Sequence, residues 1–497
     1  MSHTKSSKRP RPIRFLFENS LFLIAGAVGA LVWANVSPDT YHHFSHFDLM
    51  SIFRDVDEQH DHGHGGTSGH TATAQNPEAI QEDGPIADAG HSADAGHSAK
   101  HEAAIGGTAA APAGVPAKTL TLHFLVNDLF MALFFAIAGK EVWEALLPGG
   151  ALANPRKAAT PLLATLGGIV GPAGLYVVGV LLLSTMGLTT WATLGRGWAV
   201  PCATDIAFSY LVARIIFGAG HPAIAFLLLL AIADDAVGLV ILAVFYPTGA
   251  LALHWLLLSV GAMALGFIFQ KVLKLSSFWW YLLIPGALSW FAFYKSGIHP
   301  ALGLVPIVLC MPHARTDLGI FAREELGRHD ALNAFEHWWK NPVELILGLF
   351  GLVNAGVAMS NVGVGTWLVL GGLIVGKPVG IVSFTWIGQR LFKLEIPGGM
   401  GYRHVLSIGM VAGIGFTVAL FVSTAAFPVP PTSPAVLDAV KMGALGSFFA
   451  AVIAYVGARM LGIRPDGAPT ESTVTKKPED AELPDACLVE STGSALA

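Results

Sequence analysis

Long apolar runs recur along this chain, and they constrain its fold more than any other feature of the sequence. A helix needs roughly 20 apolar residues to cross a bilayer. Charged residues make up only 13% of the chain and hydrophobic residues 53%, whereas an ordinary soluble domain is about 25% charged. The runs are also too long and too uniformly apolar for the alternating strands of a barrel. We therefore predict an all-α polytopic membrane protein with about 12 transmembrane helices, at 13–36, 122–147, 158–184, 198–217, 222–246, 250–272, 278–295, 298–312, 341–360, 364–388, 402–427 and 435–461.

The distribution of lysine and arginine predicts how these spans are oriented. Positive residues are enriched in cytoplasmic segments, and five of them lie before or at the start of the first span. With twelve spans both termini are cytoplasmic, and cytoplasmic segments then hold 21 Lys and Arg residues against 5 in the outer connections. We expect a multi-pass protein of the bacterial inner membrane with five parts: a cytoplasmic N-terminus at 1–12, a first helix at 13–36, a periplasmic loop at 37–118, a transmembrane body at 119–463 and a cytoplasmic tail at 464–497.

The loop at 37–118 differs in composition from the rest of the chain. Its middle, 59–117, is rich in Gly, Ala, Thr and His, and it repeats DAGHSA at 88–93 and 94–99. Such a composition cannot bury a core, so we expect disorder there and in the polar tail. Ten histidines lie in the loop, and His60, His62 and His64 could bind Zn²⁺, Ni²⁺ or Cu²⁺. They could instead buffer protons near the outer surface, and the simplest interpretation is an insertion without a specific role.

Asp234 and Asp235 are adjacent acids near the centre of the fifth apolar run. A charged side chain at that depth costs roughly 3 kcal/mol or more, so acids there indicate an ion pathway or a proton relay. Two carboxylates a few ångströms apart cannot both stay ionised without compensation. A small cation such as Na⁺ or Li⁺ supplies that compensation, and so do protons. The pair therefore predicts a site at which a cation and protons compete.

Two other spans are interrupted by residues that do not suit an apolar helix. Pro201, Thr204 and Asp205 interrupt the fourth span, and Gly413 and Gly415 interrupt the eleventh. Broken helices occur at membrane depth only where they line a cavity or are buried in protein. Paired breaks in the two halves of a chain indicate a transporter with inverted repeats. Simpler roles also fit, because an aspartate caps a half-helix and glycines allow close helix packing.

A single lysine, Lys377, lies within the tenth apolar run. A buried lysine requires a counter-ion or it loses its proton. The acids at Asp205, Asp234 and Asp235 are the available partners within the spans. The sequence thus predicts that Lys377 belongs to the same buried charge network.

Five short motifs resemble, in this order, those of NhaA-type sodium/proton antiporters: ATDIAF at 203–208, AIADD at 231–235, KSGIH at 295–299, GKP at 376–378 and GIGFT at 413–417. The resemblance covers about residues 120–461. It implies twelve transmembrane helices in inverted repeats, with spans 4 and 11 broken and crossing. It also implies a secondary active transporter that exchanges cytoplasmic Na⁺ or Li⁺ for external H⁺. The exchange is expected to be electrogenic and pH-regulated, by alternating access at the paired aspartates, and the family tends towards dimers.

The resemblance also implies roles for individual residues of the ion site. Asp235 matches the direct cation ligand and Asp234 its partner, so Na⁺ is expected at this pair. Lys377 matches the lysine that pairs with Asp234 when no ion is bound. Thr204 and Asp205 match the residues of the crossing point, where Asp205 offsets positive helix ends and Thr204 contributes an oxygen.

Residues linked to pH regulation match in part. Asp128 corresponds to an acid of the outer region, and three positions match the pH-linked residues themselves: Glu141, His299 and Glu336. The chain departs from the family at Trp143 and Glu144, where basic residues are common, and at Lys340, where a histidine is familiar. Without the resemblance, Glu141 and Glu144 would equally suit solvated charges at the membrane interface. We therefore expect transport to be retained and its pH profile to differ.

Three other functions compete with exchange. They are sodium-coupled symport of an organic solute, transition-metal transport or sensing built around the histidines of the loop, and intramembrane aspartyl proteolysis. The spans contain few Asn, Gln or Arg residues to bind an organic solute, and the two acids of such proteases normally come from different helices. We therefore expect no enzyme, no cofactor, no organic substrate and no nucleic acid partner. We expect the protein to be surrounded by membrane lipid, and the sequence leaves undecided whether two copies form a homodimer.

Overall fold

The computed structural model describes residues 21–49, 120–148, 150–153, 155–312, 330–429 and 431–465. The chain divides into two compact units, Met1–His46 with Leu122–Ala497, and Phe47–Thr121. The second unit is described only at its ends, where Asp48 and Thr121 form an isolated antiparallel bridge. The predicted N-terminal segment 1–12, the loop between 50 and 119 and the tail beyond 465 lie outside the described residues.

The described residues of the first unit form helices and their connections. We number the longer helices in chain order: α1 Leu21–Val36, α2 Pro38–Ser45, α3 Leu122–Leu146, α4 Pro155–Thr185, α5 Trp191–Cys202, α6 Ile206–Phe217, α7 Pro222–Phe245, α8 Leu253–Lys271, α9 278–296, α10 Ala331–Asn354, α11 Val364–Phe392, α12 Tyr402–Ala412, α13 Phe416–Ala426 and α14 Pro434–Met460.

Six of the described helices are long and apolar enough to cross a membrane: α3, α4, α7, α8, α11 and α14. The pairs α5–α6 and α12–α13 are each bent by 51°, and counting each pair as one span raises the number to eight. The prediction of an all-α polytopic membrane protein is therefore confirmed for the described part of the chain. The number of twelve spans stays a prediction.

Two predicted spans differ from the helices that the structure contains. The span predicted at 341–360 overlaps α10, which ends at Asn354 and already begins at Ala331. The Asp330 carboxylate caps this start by accepting from the Asn333 N–H at 2.8 Å. The first turns of α10 are too polar for a search based on apolar runs. The span predicted at 298–312 contains two short helices, Pro300–Leu302 and Val305–Val308. Proline and glycine within this segment prevent one continuous helix.

The helices pack in two layers. One layer contains α4, α7, α11, α14 and the two bent pairs, and the other contains α1, α3, α8, α9 and α10. The layers meet where α3 packs on α7 and α10 packs on α13. The two adjacent acids of α7 therefore lie close to the boundary between the two layers.

Glycines allow the backbones within each layer to approach closely. Gly167 and Gly171 of α4 face Gly376 and Gly380 of α11, and a Cβ at Gly171 would lie 2.3 Å from the Gly376 carbonyl oxygen. Spacing of small residues four positions apart is typical of close helix pairs in membranes. This glycine seam, as we call the four residues, brings Lys377 of α11 up to the middle of its layer.

The two bends contact each other. The Asp205 N–H donates to the Ile414 carbonyl at 2.7 Å, and the Ser209 hydroxyl donates to the Val411 carbonyl at 3.2 Å. A Cβ at Gly415 would lie 2.7 Å from the Ala203 carbonyl oxygen, so glycine is required for this approach. Backbone groups freed by one break thus find partners at the other, which buried irregular backbone requires.

Candidate ion-binding site

Asp205 and Thr417 join the two bent helix pairs. Asp205 is the N-cap of α6, and its carboxylate accepts from the Phe208 N–H at 3.1 Å. Its other oxygen accepts from the Thr417 hydroxyl, in the first turn of α13, at 2.8 Å. A carboxylate at a helix N-terminus interacts favourably with the partial positive charge there. Asp205 therefore carries out the capping role that the sequence allowed, and this role explains its burial.

Asp234 is held by two donors. Its Oδ2 atom accepts from Lys377 Nζ at 2.7 Å and from the Thr204 hydroxyl at 2.7 Å. Lys377 is fully buried, Asp234 is 4% exposed, and Lys377 also donates to the Cys202 carbonyl. Buried charges require a partner of opposite charge together with satisfied hydrogen bonds. The structure therefore places Lys377 and Thr204 around Asp234.

Asp235 points away from this pair, because consecutive residues of a helix lie about 100° apart around its axis. Asp235 is only partly buried, and it lines a cavity of about 390 Å³. No hydrogen bond or ion pair reaches its carboxylate from any residue that the structure describes. Thr204, Asp205 and Thr417 line the same cavity. The cavity thus ends at one free carboxylate surrounded by oxygen-bearing side chains.

The other end of this cavity is lined by charged residues from α3, α6 and α10: Glu141, Arg214, Glu336, Lys340 and Glu344. Lys140 lies behind them, fully buried, and forms ion pairs with both Glu144 and Glu336. The interpretation of Glu144 as a solvated charge is therefore wrong, since only 3% of its surface is exposed. A lysine four residues before a glutamate on one helix face can pair with it, and that spacing was the signal for this contact.

His299 lies apart from Glu141 and Glu336. Its Nδ1 atom is 3.8 Å from Asp128 Oδ1, and its ring lies 4.9 Å from that of Phe421. Asp128 and Glu141 are thirteen residues apart on α3, which corresponds to about 20 Å along a helix. The structure therefore brings together Glu141 and Glu336 but places His299 with Asp128, towards the opposite end of α3.

The sequence also predicted metal ligands outside the ion site. Among the described residues, no group of three or more His, Cys, Asp or Glu side chains is placed to hold a metal ion. The predicted transition-metal ligands His60, His62 and His64 lie outside the described residues.

Three groups of the site were not predicted from the sequence: the Lys140 and Thr417 side chains and the Cys202 carbonyl. The last of these leaves no signal in a sequence, because any residue supplies a carbonyl.

Oxygen ligands suit small hard cations, and a free carboxylate beside an occupied one offers a place for such an ion or for a proton. A cavity that reaches this pair at the boundary of two helix layers defines the class of the protein as a membrane transporter of ions.

Comparison with known proteins identifies the family. Residues 94–457 match the family model described as Na⁺/H⁺ antiporter 1. The chain is 47% identical to the Na⁺/H⁺ antiporter NhaA of Jannaschia sp. (strain CCS1), over 90% of this chain and 98% of the relative. It is 41% identical to the NhaA of Geotalea uraniireducens (strain Rf4), over 92% and 98%, and 39% identical to that of Desulfitobacterium hafniense (strain Y51), with the same coverage. The chain belongs to the NhaA family of Na⁺/H⁺ antiporters. The predicted resemblance is thereby confirmed, as is the prediction of a transporter rather than an enzyme.

Proposed function

We propose that this protein exchanges cytoplasmic Na⁺ or Li⁺ for external H⁺, with Asp235 as the direct cation ligand. The observation that carries the proposal is the difference between the two adjacent acids. Asp234 is occupied by Lys377 and Thr204, whereas Asp235 meets the cavity with no hydrogen-bonding partner among the described side chains. The family membership supports the choice of Na⁺ and H⁺ as the transported ions.

Competition at one site couples the two ions. A cation bound to Asp235 also approaches Asp234, because the two residues are adjacent, and it weakens the hold of Lys377 on that carboxylate. Protonation of the acids removes the charge that holds the cation. The site therefore carries either the cation or protons, and each displaces the other. Two groups that exchange protons per Na⁺ make the transport electrogenic.

Alternating access requires that the site open to one side at a time. The cavity reaches Asp235 from the end of the molecule that carries Arg214 and Lys340. Basic residues of this kind favour the cytoplasmic side, so we assign the cavity to an inward-open state with both termini in the cytoplasm of a bacterial inner membrane. In this proposal the site lies between broken, crossing helices that belong to inverted repeats. The two helix layers then move past each other, and this movement exposes the acids to the outside. Glu141 and Glu336 at the cavity entrance are the proposed pH-linked residues.

Exchange in inside-out membrane vesicles tests this function. The vesicles come from cells without their own sodium exchangers and contain wild type, Asp235→Asn or Glu395→Gln. With respiration keeping the lumen acidic, added Na⁺ or Li⁺ releases protons, and a pH-sensitive dye follows them. We expect dequenching in wild type and none in Asp235→Asn, because an amide lacks the charge that holds the ion. The control removes an exposed carboxylate outside the cavity and retains exchange. Normal Na⁺-dependent exchange in Asp235→Asn would rule out the assigned ligand.

A further inference from the structure

A second and smaller cavity adjoins the paired acids. It has a volume of about 20 Å³, which is room for about one water molecule. Asp234 and Asp235 both line it, whereas the cavity of about 390 Å³ is lined by Asp235 and not by Asp234. Asp235, Phe134 and Val418 line both cavities, so the two spaces meet at Asp235. We call the smaller space the acid pocket, since it alone of these two cavities borders both acids.

The walls of the acid pocket determine what it can hold. Asp234 and Asp235 carry the only polar side chains among the residues that line it, and the rest are Ala, Gly, Leu, Phe and Val. Apolar walls offer no hydrogen bonds, so a polar occupant has to be held by the carboxylates or by an ion bound to them. A buried water typically makes about three polar contacts, and the two acids together with a cation on Asp235 supply them. The pocket thus suits one water molecule that contacts a bound cation.

Gly238 keeps the acid pocket open, and it is one of the residues that line it. It follows Asp234 by four residues and Asp235 by three on α7. At about 100° per residue, its side-chain direction therefore lies between those of the two acids. Leu242, one turn further along on the same side, is only 2% exposed, so this side of α7 faces the protein interior. A Cβ at Gly238 would nevertheless meet no atom of another described element within 4 Å.

Packing does not account for a glycine at this position. The glycines of the seam each face backbone that a Cβ would meet within 3 Å, whereas Gly238 faces open space. Alanine would also stabilise a helix interior by about 1 kcal/mol relative to glycine. A methyl group could therefore fill the space beside Gly238 without steric conflict, and the glycine leaves that space to a ligand.

A cation at Asp235 has reason to use such a ligand, because two of the oxygens near it are already engaged. The Thr204 hydroxyl donates to Asp234 at 2.7 Å, and the Thr417 hydroxyl donates to Asp205 at 2.8 Å. Small hard cations take several oxygen ligands and can keep water among them. Selectivity between such cations depends on cavity size and ligand number, and Li⁺, which is smaller than Na⁺, needs fewer oxygens. One retained water in the acid pocket therefore matters more to Na⁺ than to Li⁺.

We propose that Gly238 is a specificity-determining residue of the ion site. It reserves room beside both acids for one water molecule, and this water completes the coordination of Na⁺ at Asp235. The inference rests on the proposed function and names a ligand of the same site. Filling the acid pocket should therefore weaken the binding of Na⁺ more than that of Li⁺, while the fold stays intact.

Exchange measured with both cations tests this role. Inside-out vesicles at one fixed pH carry wild type, Gly238→Ala, Gly238→Ser or the control Gly174→Ala. The initial rate of dequenching is followed against the concentration of Na⁺ or Li⁺. Gly174 is an exposed glycine of α4 at which a Cβ also meets nothing within 4 Å among the described residues. Thermal unfolding of each variant in detergent shows separately whether the fold is retained.

Gly238→Ala should raise the KM for Na⁺ by about tenfold or more, the effect of losing one contact to a charged group. The KM for Li⁺ should rise less, and the unfolding temperature should stay the same or increase because alanine favours the helix. In Gly238→Ser a hydroxyl oxygen takes the place of the water, so the KM for Na⁺ should return towards that of wild type. Gly174→Ala should leave both KM values unchanged.

Three results would overturn the inference. The first is a KM for Na⁺ in Gly238→Ala equal to that of the control. The second is an equal rise for Na⁺ and Li⁺, whether or not the unfolding temperature falls, since this excludes a role in specificity. The third is a Gly238→Ser variant as impaired towards Na⁺ as Gly238→Ala, because an oxygen ligand would then be unnecessary. All three presuppose exchange in wild type, whereas the absence of exchange there would refute the proposed function itself and the inference with it.

Discussion

Lys377 shows how one residue sets the state of a whole site. Its ammonium group is fully buried and bridges Asp234 on α7 and the Cys202 carbonyl at the end of α5. Among the described residues it forms the one ion pair of Asp234. The sequence predicted the pair because a lone lysine in an apolar run requires an acid. It could not predict the carbonyl, which depends on how α5 ends.

Replacing Lys377 by Met should destabilise the protein by about 3–5 kcal/mol, because an uncompensated carboxylate would remain buried. Thermal unfolding in detergent measures the loss. Adding Asp234→Asn to this variant should recover much of the stability, since it removes the unpaired charge. Lys271→Met, at the exposed end of α8, is the matched control and should change little. A loss of the same size in the double variant would mean that packing, rather than the ion pair, carries the stability.

At the scale of elements, the two bends and the start of α10 were predicted to different extents. The breaks at Thr204–Asp205 and Gly413–Gly415 are visible in the sequence because proline, acids and glycine interrupt apolar runs. The start of α10 was missed, since its first turns carry Glu336 and Lys340 and are stabilised by an N-cap and by Lys140. Apolar periodicity does not register contacts of this kind, which depend on another helix.

Two glycines of α4 provide a matched pair for testing the seam. A methyl group at Gly171 would meet the Gly376 carbonyl at 2.3 Å, whereas one at Gly174 would meet nothing within 4 Å. Both substitutions to Ala gain helix propensity of about 1 kcal/mol. Gly171→Ala should nevertheless destabilise the protein by about 1–3 kcal/mol through overpacking, and Gly174→Ala should be neutral or stabilising. Equal unfolding temperatures for the two variants would show that the backbones do not approach this closely.

At the scale of the molecule, the sequence predicted the helical membrane fold and the family, and it placed Lys377 in one buried charge network with the acids of the spans. It did not predict that Glu144 is buried. This error has a physical cause. Which side chains meet across helices depends on how helices rotate and pack, and position along the chain gives only their depth.

Electrogenic exchange, as proposed, makes the whole molecule sensitive to the membrane potential. One net charge moved per cycle is worth about 2.3 kcal/mol per 100 mV, which changes the equilibrium Na⁺ ratio roughly fifty-fold. In proteoliposomes with a potassium diffusion potential, a potential of 100 mV should therefore shift the Na⁺ gradient at equilibrium by about that factor. The same measurement without ionophore is the control. No shift would indicate one proton per Na⁺ and an electroneutral cycle.

The glycine seam also has a consequence for how this protein tolerates sequence change. Gly167, Gly171, Gly376 and Gly380 touch no transported ion in the proposed cycle, yet a single added carbon at each would meet backbone within 3 Å. A survey of all single substitutions should therefore find these positions as intolerant as the buried acids. The exposed faces of the same helices, such as Val178 and Val379, should accept many apolar residues. Equal intolerance of substitution would then have two unrelated causes: chemical at the acids, which bind the ions, and steric at the glycines, which let the helices approach.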